Sequence, residues 1–305
     1  MAQTTHDGSG AAAEAGKFTI GRKAFETEVV DVMNGDARWE VNVHDHGLVA
    51  LVDVMPRLVP KGKTADAAIV QAARVSYGAG TKMVNEDRGL IRYLARHRHS
   101  TPFEMVEFKF HQVMPIFVAR QWIRHRTANV NEYSARYSVV KDRFYRPTSE
   151  MVRAQSKTNR QGGTEPMDSM TAGEFLAFLD KSQQLYDDYE RLIEKGVARE
   201  IARIGLPVSV YTEWYWKIDL HNLLHFLSLR MDAHAQQEIR DYATAMYELI
   251  RPIVPIAAEA FVDYRSEAIQ LSRLEIEAIR SGQPLNTDNK REQAEWEEKK
   301  KKLGL

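Results

Sequence analysis

The residues with the clearest chemical potential are arginines gathered within residues 120–138, RQWIRHRTANVNEYSARYS. They share this stretch with one acidic residue, Glu132, in a chain whose net charge is zero. A guanidinium group presents paired N–H donors in one plane, which matches two oxygens of a phosphate group. The stretch therefore predicts a local site for a phosphorylated ligand. Its arginines are Arg120, Arg124, Arg126 and Arg136.

A structural explanation of these arginines exists as well. Basic side chains at a helix end stabilise the helix dipole and pair with acids elsewhere, which is the commoner case for an isolated cluster. Trp122 and Ile123 lie among the charges, which indicates burial and favours a binding site. Asn129, Asn131 and Ser134 add hydrogen-bonding groups of the kind that a nucleotide base and sugar require.

A second segment of interest spans residues 219–243, DLHNLLHFLSLRMDAHAQQEIRDYA. Arg230 follows a nearly apolar turn, so its guanidinium group should be desolvated unless it meets an anion or a ligand. Because helical residues turn by about 100° each, His221 and His225 share one face and Arg230 points away from His225. Such a histidine pair can bind zinc, but the glutamate that zinc hydrolases place beside the first histidine is missing, and a structural pair is commoner.

A third cluster of polar residues lies at residues 97–104 and includes His99, Thr101 and Glu104. By itself this composition is typical of a turn with capping hydroxyls. The sequence has neither a G-x-G-x-x-G motif after a strand nor a P-loop. A bound dinucleotide must therefore be held in another way.

Both helices and strands must position these segments. Residues 47–55 form an apolar, β-prone run, and residues 106–110 alternate apolar and polar side chains, as a half-buried strand does. We predict a helix over residues 115–126 and a loop over residues 127–136. The strands do not alternate regularly with helices, so the predicted fold is α+β, a helix-rich single domain with a small, mostly antiparallel sheet. Further helices are expected at residues 65–74, 85–96, 172–195, 221–230 and 235–250, with an exposed loop at residues 157–169.

Composition excludes several classes of protein. The 42 basic and 42 acidic residues give no general attraction to nucleic acid or to an anionic membrane, so neither partner is expected. No apolar run reaches the roughly 20 residues of a membrane span, and no signal peptide is apparent, so we expect a cytoplasmic protein. The chain has no cysteine, which excludes disulfides, thiolate metal sites and cysteine nucleophiles.

Several segments together resemble the flavin-dependent thymidylate synthases. The motif RHR, seven residues and Ser, which here runs from Arg124 to Ser134, is the signature of that family. The resemblance covers about residues 47–265. The blocks that extend it are AARVS (72–76), HSTPFEM (99–105), PIFVARQWIRHR (115–126), ARIGLPVSVYTEWYW (202–216) and LHNLLHFLSLRMDAHAQQEI (220–239).

The resemblance implies an α+β homotetramer whose active sites combine residues of several subunits. It implies the reductive methylation of dUMP to dTMP, with 5,10-methylenetetrahydrofolate as carbon donor and FAD that is reduced by NADPH. His99 would position the folate or the flavin ring. Residues of several blocks would bind FAD: Ser76, Thr101, Glu104, Arg124, His125, Arg126, Glu132, Asp219, His221 and His225.

The same resemblance assigns the dUMP site and the chemistry. Arg230 is the expected catalytic residue, since a guanidinium group against the pyrimidine favours ionisation at N3 and makes C5 more nucleophilic. Ser134 is interpreted as a ligand contact, because no triad partners lie in its block. The thiolate mechanism of the other thymidylate synthase class is excluded by the lack of cysteine. The dUMP contacts would be Gln121, Trp122, Ile123, Arg124, Glu132, Tyr133, Ser134, Ala135, Arg136, Arg203 and Arg230.

Two alternatives from other classes stay open: a nucleic-acid-binding module built on the arginine-rich segment, and a metal-dependent hydrolase built on Asp219, His221 and His225. No metal is expected if the resemblance holds. Some relatives carry Asn and Arg in place of Asp219 and His221, so the flavin contacts there can differ. The predicted divisions are a flexible tail (1–17), a flavin-dependent thymidylate synthase domain (18–271) and a charged C-terminal extension (272–305), solvated or frayed over residues 291–302.

Overall fold

Residues 22–75, 87–156 and 162–305 are described by a computed structural model, and these parts of the chain combine short strands with more numerous helices. The strands are β1 (Val29–Asp31), β2 (Trp39–Val43), β3 (Gly47–Met55), β4 (Leu58–Pro60), β5 (Glu107–Pro115), β6 (Asn129–Glu132), β7 (Arg153–Gln155), β8 (Gly163–Pro166) and β9 (Tyr211–Asp219). The helices are α1 (Asp66–Val75), α2 (Asp87–Arg96), α3 (Thr101–Glu104), α4 (Ile116–Trp122), α5 (Ser169–Glu194), α6 (Arg199–Ala202), α7 (Leu220–Arg230), α8 (Gln237–Ile250), α9 (Pro255–Phe261), α10 (Arg273–Ser281) and α11 (Lys290–Leu303). The predicted α+β class is confirmed.

The main sheet has five antiparallel strands in the order β2, β3, β5, β9, β6. β5 lies at its centre because its sequence alternates: Phe108 and Phe110 are fully buried, whereas Lys109 between them is exposed. β5 and β9 pair over their whole length, with Glu107 opposite Asp219. Because the two strands are antiparallel, the segments that follow them start at opposite ends of the sheet.

Two helices leave these central strands and meet over the sheet. α4 follows β5 directly, and α7 follows β9 directly. The Trp122 ring at the end of α4 stacks on Phe226 of α7 with 4.8 Å between the ring centroids. It also packs edge-on against Trp214 and Trp216 of β9. All four side chains are buried, so this contact fixes the end of α4 against α7.

The structure corrects the prediction around residues 115–136. The predicted helix ends at Trp122, so Arg124 and its neighbours lie beyond it. The predicted loop contains β6, the outermost strand of the sheet, whose Val130 pairs with Trp216. Pairing with β9 explains both differences, because it draws the chain back into the sheet. The sequence analysis also does not predict β9 itself.

The expectations for two other segments were wrong in part. Residues 163–166 of the predicted exposed loop form β8, which pairs with β7. Residues 290–303, expected to be solvated or frayed, form α11, which Asn289 caps through its side chain and the N–H of Arg291. Trp296 of this helix is 5% exposed, so α11 has a buried face. Residues 1–17 and Ser76 lie outside the described residues.

A buried carboxylate joins the first helix to the ninth. Asp66 is 2% exposed, and its oxygens accept hydrogen bonds from the backbone N–H groups of Ile256 (2.9 Å) and Ala257 (3.1 Å). Burial raises the pKa of this carboxyl, while the hydrogen bonds oppose the rise. Since the first N–H groups of a helix lack partners within it, Asp66 supplies the missing acceptors for α9.

Replacing Asp66 with alanine should lower the free energy of unfolding by about 2 kcal/mol, because two N–H groups at the start of α9 would lose their acceptor. Urea unfolding at a fixed protein concentration measures this change. Asp168→Ala is a suitable control. Asp168 is the exposed N-cap of α5 and accepts from the N–H groups of Met170 and Thr171. Water can replace this exposed acceptor, so the loss should be smaller. Equal losses in the two variants would contradict a special role for the burial of Asp66.

Candidate active site

Three of the predicted site residues form one hydrogen-bonded group, called here the Arg230 network: Gln121, His125 and Arg230. The Nε of Arg230, at the end of α7, donates to Nε2 of His125 at 3.0 Å. Its Nη2 donates to the backbone carbonyl of Gln121 at 3.4 Å. The stacking of Trp122 on Phe226 holds the two helices at the separation these bonds require.

Burial gives the Arg230 network a defined charge. Burial, together with the nearby Arg230 and His225, lowers the pKa of His125 to about 4. His125 is therefore neutral near pH 7, and its Nε2 is the acceptor for Arg230, so the ring proton lies on Nδ1. Burial also lowers the pKa of Arg230. Arg230 is half-buried, and within the described ranges no carboxylate pairs with it.

A cavity of about 240 Å³ lies beside this network, between α7 and the turn before α3. We call it the histidine cavity, because His99, His221 and His225 all line it. The His225 and His125 rings lie 6.1 Å apart, edge to face, so the cavity and the Arg230 network are neighbours. The structure thus brings together residues that the sequence separates by more than one hundred positions.

Other residues predicted to bind flavin have different surroundings. Thr101 is exposed and Glu104 is half-buried on α3, and Phe103 between them lines the histidine cavity. Asp219 caps α7: its Oδ1 accepts from the backbone N–H of Asn222 at 2.9 Å, and its Oδ2 accepts from the Asn222 side chain at 2.8 Å. This structural role of Asp219 is one that the sequence analysis does not assign.

The arginines predicted to bind phosphate lack acidic partners. Within residues 22–75, 87–156 and 162–305, no carboxylate oxygen lies within 4.0 Å of their guanidinium groups. All of them are exposed. The structural explanation, in which they pair with acids, is therefore not what these parts of the chain show. The arginines are Arg120, Arg124, Arg126, Arg136 and Arg203.

β6 and the turn after it carry the remaining residues of the predicted dUMP site. The Glu132 carboxylate accepts a hydrogen bond from the hydroxyl of Thr212 at 2.7 Å, which fixes the acid on the sheet edge. Tyr133 and Ser134 follow and are half-buried. The Ser134 hydroxyl oxygen lies 3.5 Å from Nε of Arg136 and accepts from it.

Within the described residues, this group is not hydrogen-bonded to the Arg230 network. Ala135 packs against the small core cluster that contains Ala202, the residue before Arg203. In the described part of the chain, no hydrogen bond or ion pair joins these residues to Arg230 or to His225. The predicted ligand contacts thus form two groups that are not directly bonded to each other in the described part of the chain.

Trp122 requires a correction. It is fully buried in the core, so its side chain cannot contact dUMP. Its indole N–H has no hydrogen-bond partner in the described structure. Ile123 beside it is 36% exposed and stays available. Only the backbone of Trp122 is left for a nucleotide contact.

The histidine cavity has lining residues that the sequence analysis does not single out. Arg98, which adopts a left-handed backbone conformation with φ of 60°, lies on one side. Tyr264 and Arg265 lie on the other side, in a π-helical turn at Val262–Ser266. Such turns often occur at functional sites. One feature of the sequence could have pointed to Tyr264 and Arg265 as site residues: an aromatic and a basic residue stand side by side at the end of an apolar run.

The described residues offer no ready site for a metal ion. No group of three or more His, Cys, Asp or Glu side chains in these ranges is arranged to hold one. Asp219, the carboxylate of the hydrolase alternative, instead caps α7. No described helix is both long and apolar enough to cross a membrane.

The fold is α+β, and the candidate site has a histidine-lined cavity and arginines without acidic partners in the described ranges. Residues 57–256 match the family model described as Thymidylate synthase complementing protein. The chain is 68% identical over 290 residues to the flavin-dependent thymidylate synthase of Dictyostelium discoideum, covering 95% of this chain and 96% of that protein. The chain belongs to this family, the flavin-dependent thymidylate synthases, which confirms the resemblance found in its motifs.

Two further comparisons agree. The flavin-dependent thymidylate synthase of Gluconobacter oxydans is 54% identical over 254 residues, covering 81% of each chain. The crystal structure of the UMP/dUMP methylase PolB from Streptomyces cacaoi bound with 5-Br UMP has a TM-score of 0.63 and 34% identity, covering 74% of this chain and 98% of that one. Family and structural neighbour alike indicate a methyltransferase.

The low pKa of His125 predicts a pH-dependent stability. In the unfolded chain His125 binds a proton below about pH 6.5, whereas in the folded chain it stays neutral down to about pH 4. Stability from this group is therefore present above pH 6.5 and is lost as the pH falls toward 4. His125→Gln keeps an acceptor for Arg230 and does not ionise, so it should reduce that loss by on the order of 1 kcal/mol, discounted for partial exposure. Urea unfolding across this pH range measures it, and an unchanged slope would contradict it.

Proposed function

We propose that this chain catalyses the reductive methylation of dUMP to dTMP, with 5,10-methylenetetrahydrofolate as carbon donor and FAD reduced by NADPH. The observation that carries the proposal is the Arg230 network, in which a half-buried cation is held by a neutral imidazole and has no acidic partner among the described residues. Family membership supplies the reaction class. The geometry supports Arg230 as the residue that meets a negatively charged or electron-rich group of the ligand.

The nucleotide would lie against Arg230 and the unpaired arginines. Arg124, Arg136 and Arg203 have no acidic partner in the described ranges, so a phosphate can bind without displacing an existing ion pair. Glu132 and Ser134 would hold the base and the sugar by hydrogen bonds. A guanidinium group beside the pyrimidine stabilises negative charge as it develops at N3, which favours attack from C5.

The histidine cavity fits the ring portion of FAD. Its walls combine apolar side chains with the imidazoles of His99, His221 and His225, and Arg98 supplies a cation. Reduced flavin supplies the hydride of the reaction when it is bound. The chain's own residues bind and orient the flavin, and His99 would position the flavin or folate ring. A cavity of about 240 Å³ encloses only part of a molecule as large as FAD, so the rest would contact other surfaces.

Subunit sharing would complete the site. In the described residues no hydrogen bond joins the contacts on β6 and the turn after it to the Arg230 network. A homotetramer in which neighbouring subunits contribute to each site would bring contacts from both groups to one ligand. We further propose a cytoplasmic protein with one catalytic domain over residues 18–271, preceded by a tail and followed by the C-terminal extension, which lies beyond the residues matched by the family model.

A second nucleotide substrate has one observation in its favour. The structural neighbour from Streptomyces cacaoi is described as a methylase of both UMP and dUMP, and it has been observed with the 5-bromo derivative of each. UMP is thus a candidate alternative substrate for this chain. The relatives with higher identity are named thymidylate synthases, so we expect dUMP to be preferred.

The visible absorption spectrum of the purified protein tests the proposal. NADPH is added under anaerobic conditions with dUMP, with UMP or with neither nucleotide. It should bleach the absorption bands of a bound flavin, and the bleaching should be fastest with dUMP. A colourless protein that cannot take up added FAD would contradict the proposal. Bound zinc in place of flavin would favour the metal-dependent hydrolase. Salt-sensitive retention on DNA would favour the nucleic-acid-binding module.

Arg230→Ala should lower kcat/KM for dTMP formation at least about 100-fold, since it removes the charge that stabilises the developing anion. Bound FAD should largely remain, because the histidine cavity is formed by other residues. Turnover and the flavin spectrum of the same sample measure both effects. Arg251→Ala is the matched control: Arg251 is exposed and pairs with Glu248, so activity should be unchanged. Undiminished turnover in Arg230→Ala would remove this residue from the mechanism.

A further inference from the structure

α8 begins with a residue whose side chain does not serve the helix. Gln236 is the N-cap of α8, and its side chain makes no capping hydrogen bond. Ser, Thr, Asp and Asn are the usual N-cap residues, because their short side chains accept from the free N–H groups. Instead, Oε1 of Gln236 accepts a hydrogen bond from Nε2 of Gln121 at 2.5 Å. The Gln236 side chain therefore contributes to the candidate site and not to the helix end.

The connection between α7 and α8 holds Gln121 from both of its ends. Arg230 before the connection donates to the Gln121 carbonyl at 3.4 Å, and Gln236 after it binds the Gln121 amide. The connection is itself ordered, since Asp232 accepts from the backbone N–H of His234 at 2.8 Å. Gln121 is thus fixed at its backbone by one residue and at its side chain by another.

We infer that Gln236 is a positioning residue for nucleotide binding, which acts by orienting the side-chain amide of Gln121. The inference rests on the proposed function, in which Gln121 contacts dUMP. A glutamine amide has a donor end and an acceptor end, and Gln236 occupies the donor end of Gln121. In the described residues no group donates to Oε1 of Gln121, so this acceptor is open to a ligand.

The chemistry of the contact follows from that orientation. An acceptor at Gln121 recognises a hydrogen-bond donor, which dUMP offers as its sugar hydroxyl, since its one base N–H, at N3, is the group that Arg230 would ionise. Gln236 also forms part of the wall of a separate cavity of about 580 Å³ with Phe117, Tyr145 and Glu238. We expect its effect to fall on nucleotide affinity and to be transmitted through Gln121.

Gln236→Met removes the acceptor at nearly constant size and tests the inference in the full-length, FAD-loaded protein. The Kd of dUMP by titration calorimetry and the KM for dUMP should rise roughly fivefold to tenfold, the effect of one lost hydrogen bond. kcat and bound FAD should change less than about twofold, because Gln121 does not touch the reacting atoms. If Gln236 acts only through Gln121, the double variant Gln121→Met/Gln236→Met should bind dUMP no more weakly than Gln121→Met.

Two variants complete the experiment. Gln236→Glu keeps an acceptor and should bind dUMP within about threefold of the wild type. Gln237→Met, at a neighbour whose amide bonds to Asp241 within α8, should leave the Kd unchanged. The inference alone would be overturned if the losses of dUMP affinity in the double variant were additive. It would also be overturned if Gln236→Glu or Gln237→Met lost as much dUMP affinity as Gln236→Met. Failure of the wild-type protein to bind dUMP would instead overturn the proposed function.

Discussion

The contact between Trp122 and Phe226 is the interaction on which the candidate site depends. α4 and α7 start from opposite ends of a pair of antiparallel strands, and nothing in their local sequences directs them to one place. Buried aromatic packing does so, and it brings Arg230 within hydrogen-bond distance of His125. A hydrogen bond between partly exposed side chains contributes little by itself. The network is ordered because the buried rings beneath it have few alternative arrangements.

The arginines of the chain fall into two groups by their partners. Arg57 pairs with Asp31, and Arg88 and Arg92 pair with Glu259, which ties separate segments together. The arginines around the end of α4 and in the turn after β6 have no such partner within the described ranges. Exposed ion pairs add little stability, so the unpaired state costs the fold little. A neutral chain thus holds a locally positive surface without an excess of basic residues.

The sequence predicts the parts of the fold that have simple periodicity. β5 alternates cleanly, whereas β9 places Tyr215 on the exposed face beside the buried Trp214 and Trp216, which hides its alternation. β6 is short and polar and exists only through its pairing with β9, a non-local contact. Motifs identify the types of site residue, but they do not show that Trp122 is core or that Arg265 meets the turn before α3, because both depend on tertiary packing.

The aromatic cluster beneath the site has an optical consequence. Three of the five tryptophans, Trp122, Trp214 and Trp216, lie with ring centroids about 6 Å apart. Phe226 and His125 connect this cluster to the histidine cavity through contacts of 4.8 and 4.9 Å. Flavins absorb light at the wavelengths that indole emits, so a flavin in the cavity would quench this emission by energy transfer. Intrinsic fluorescence is therefore a gauge of cavity occupancy that needs no added label.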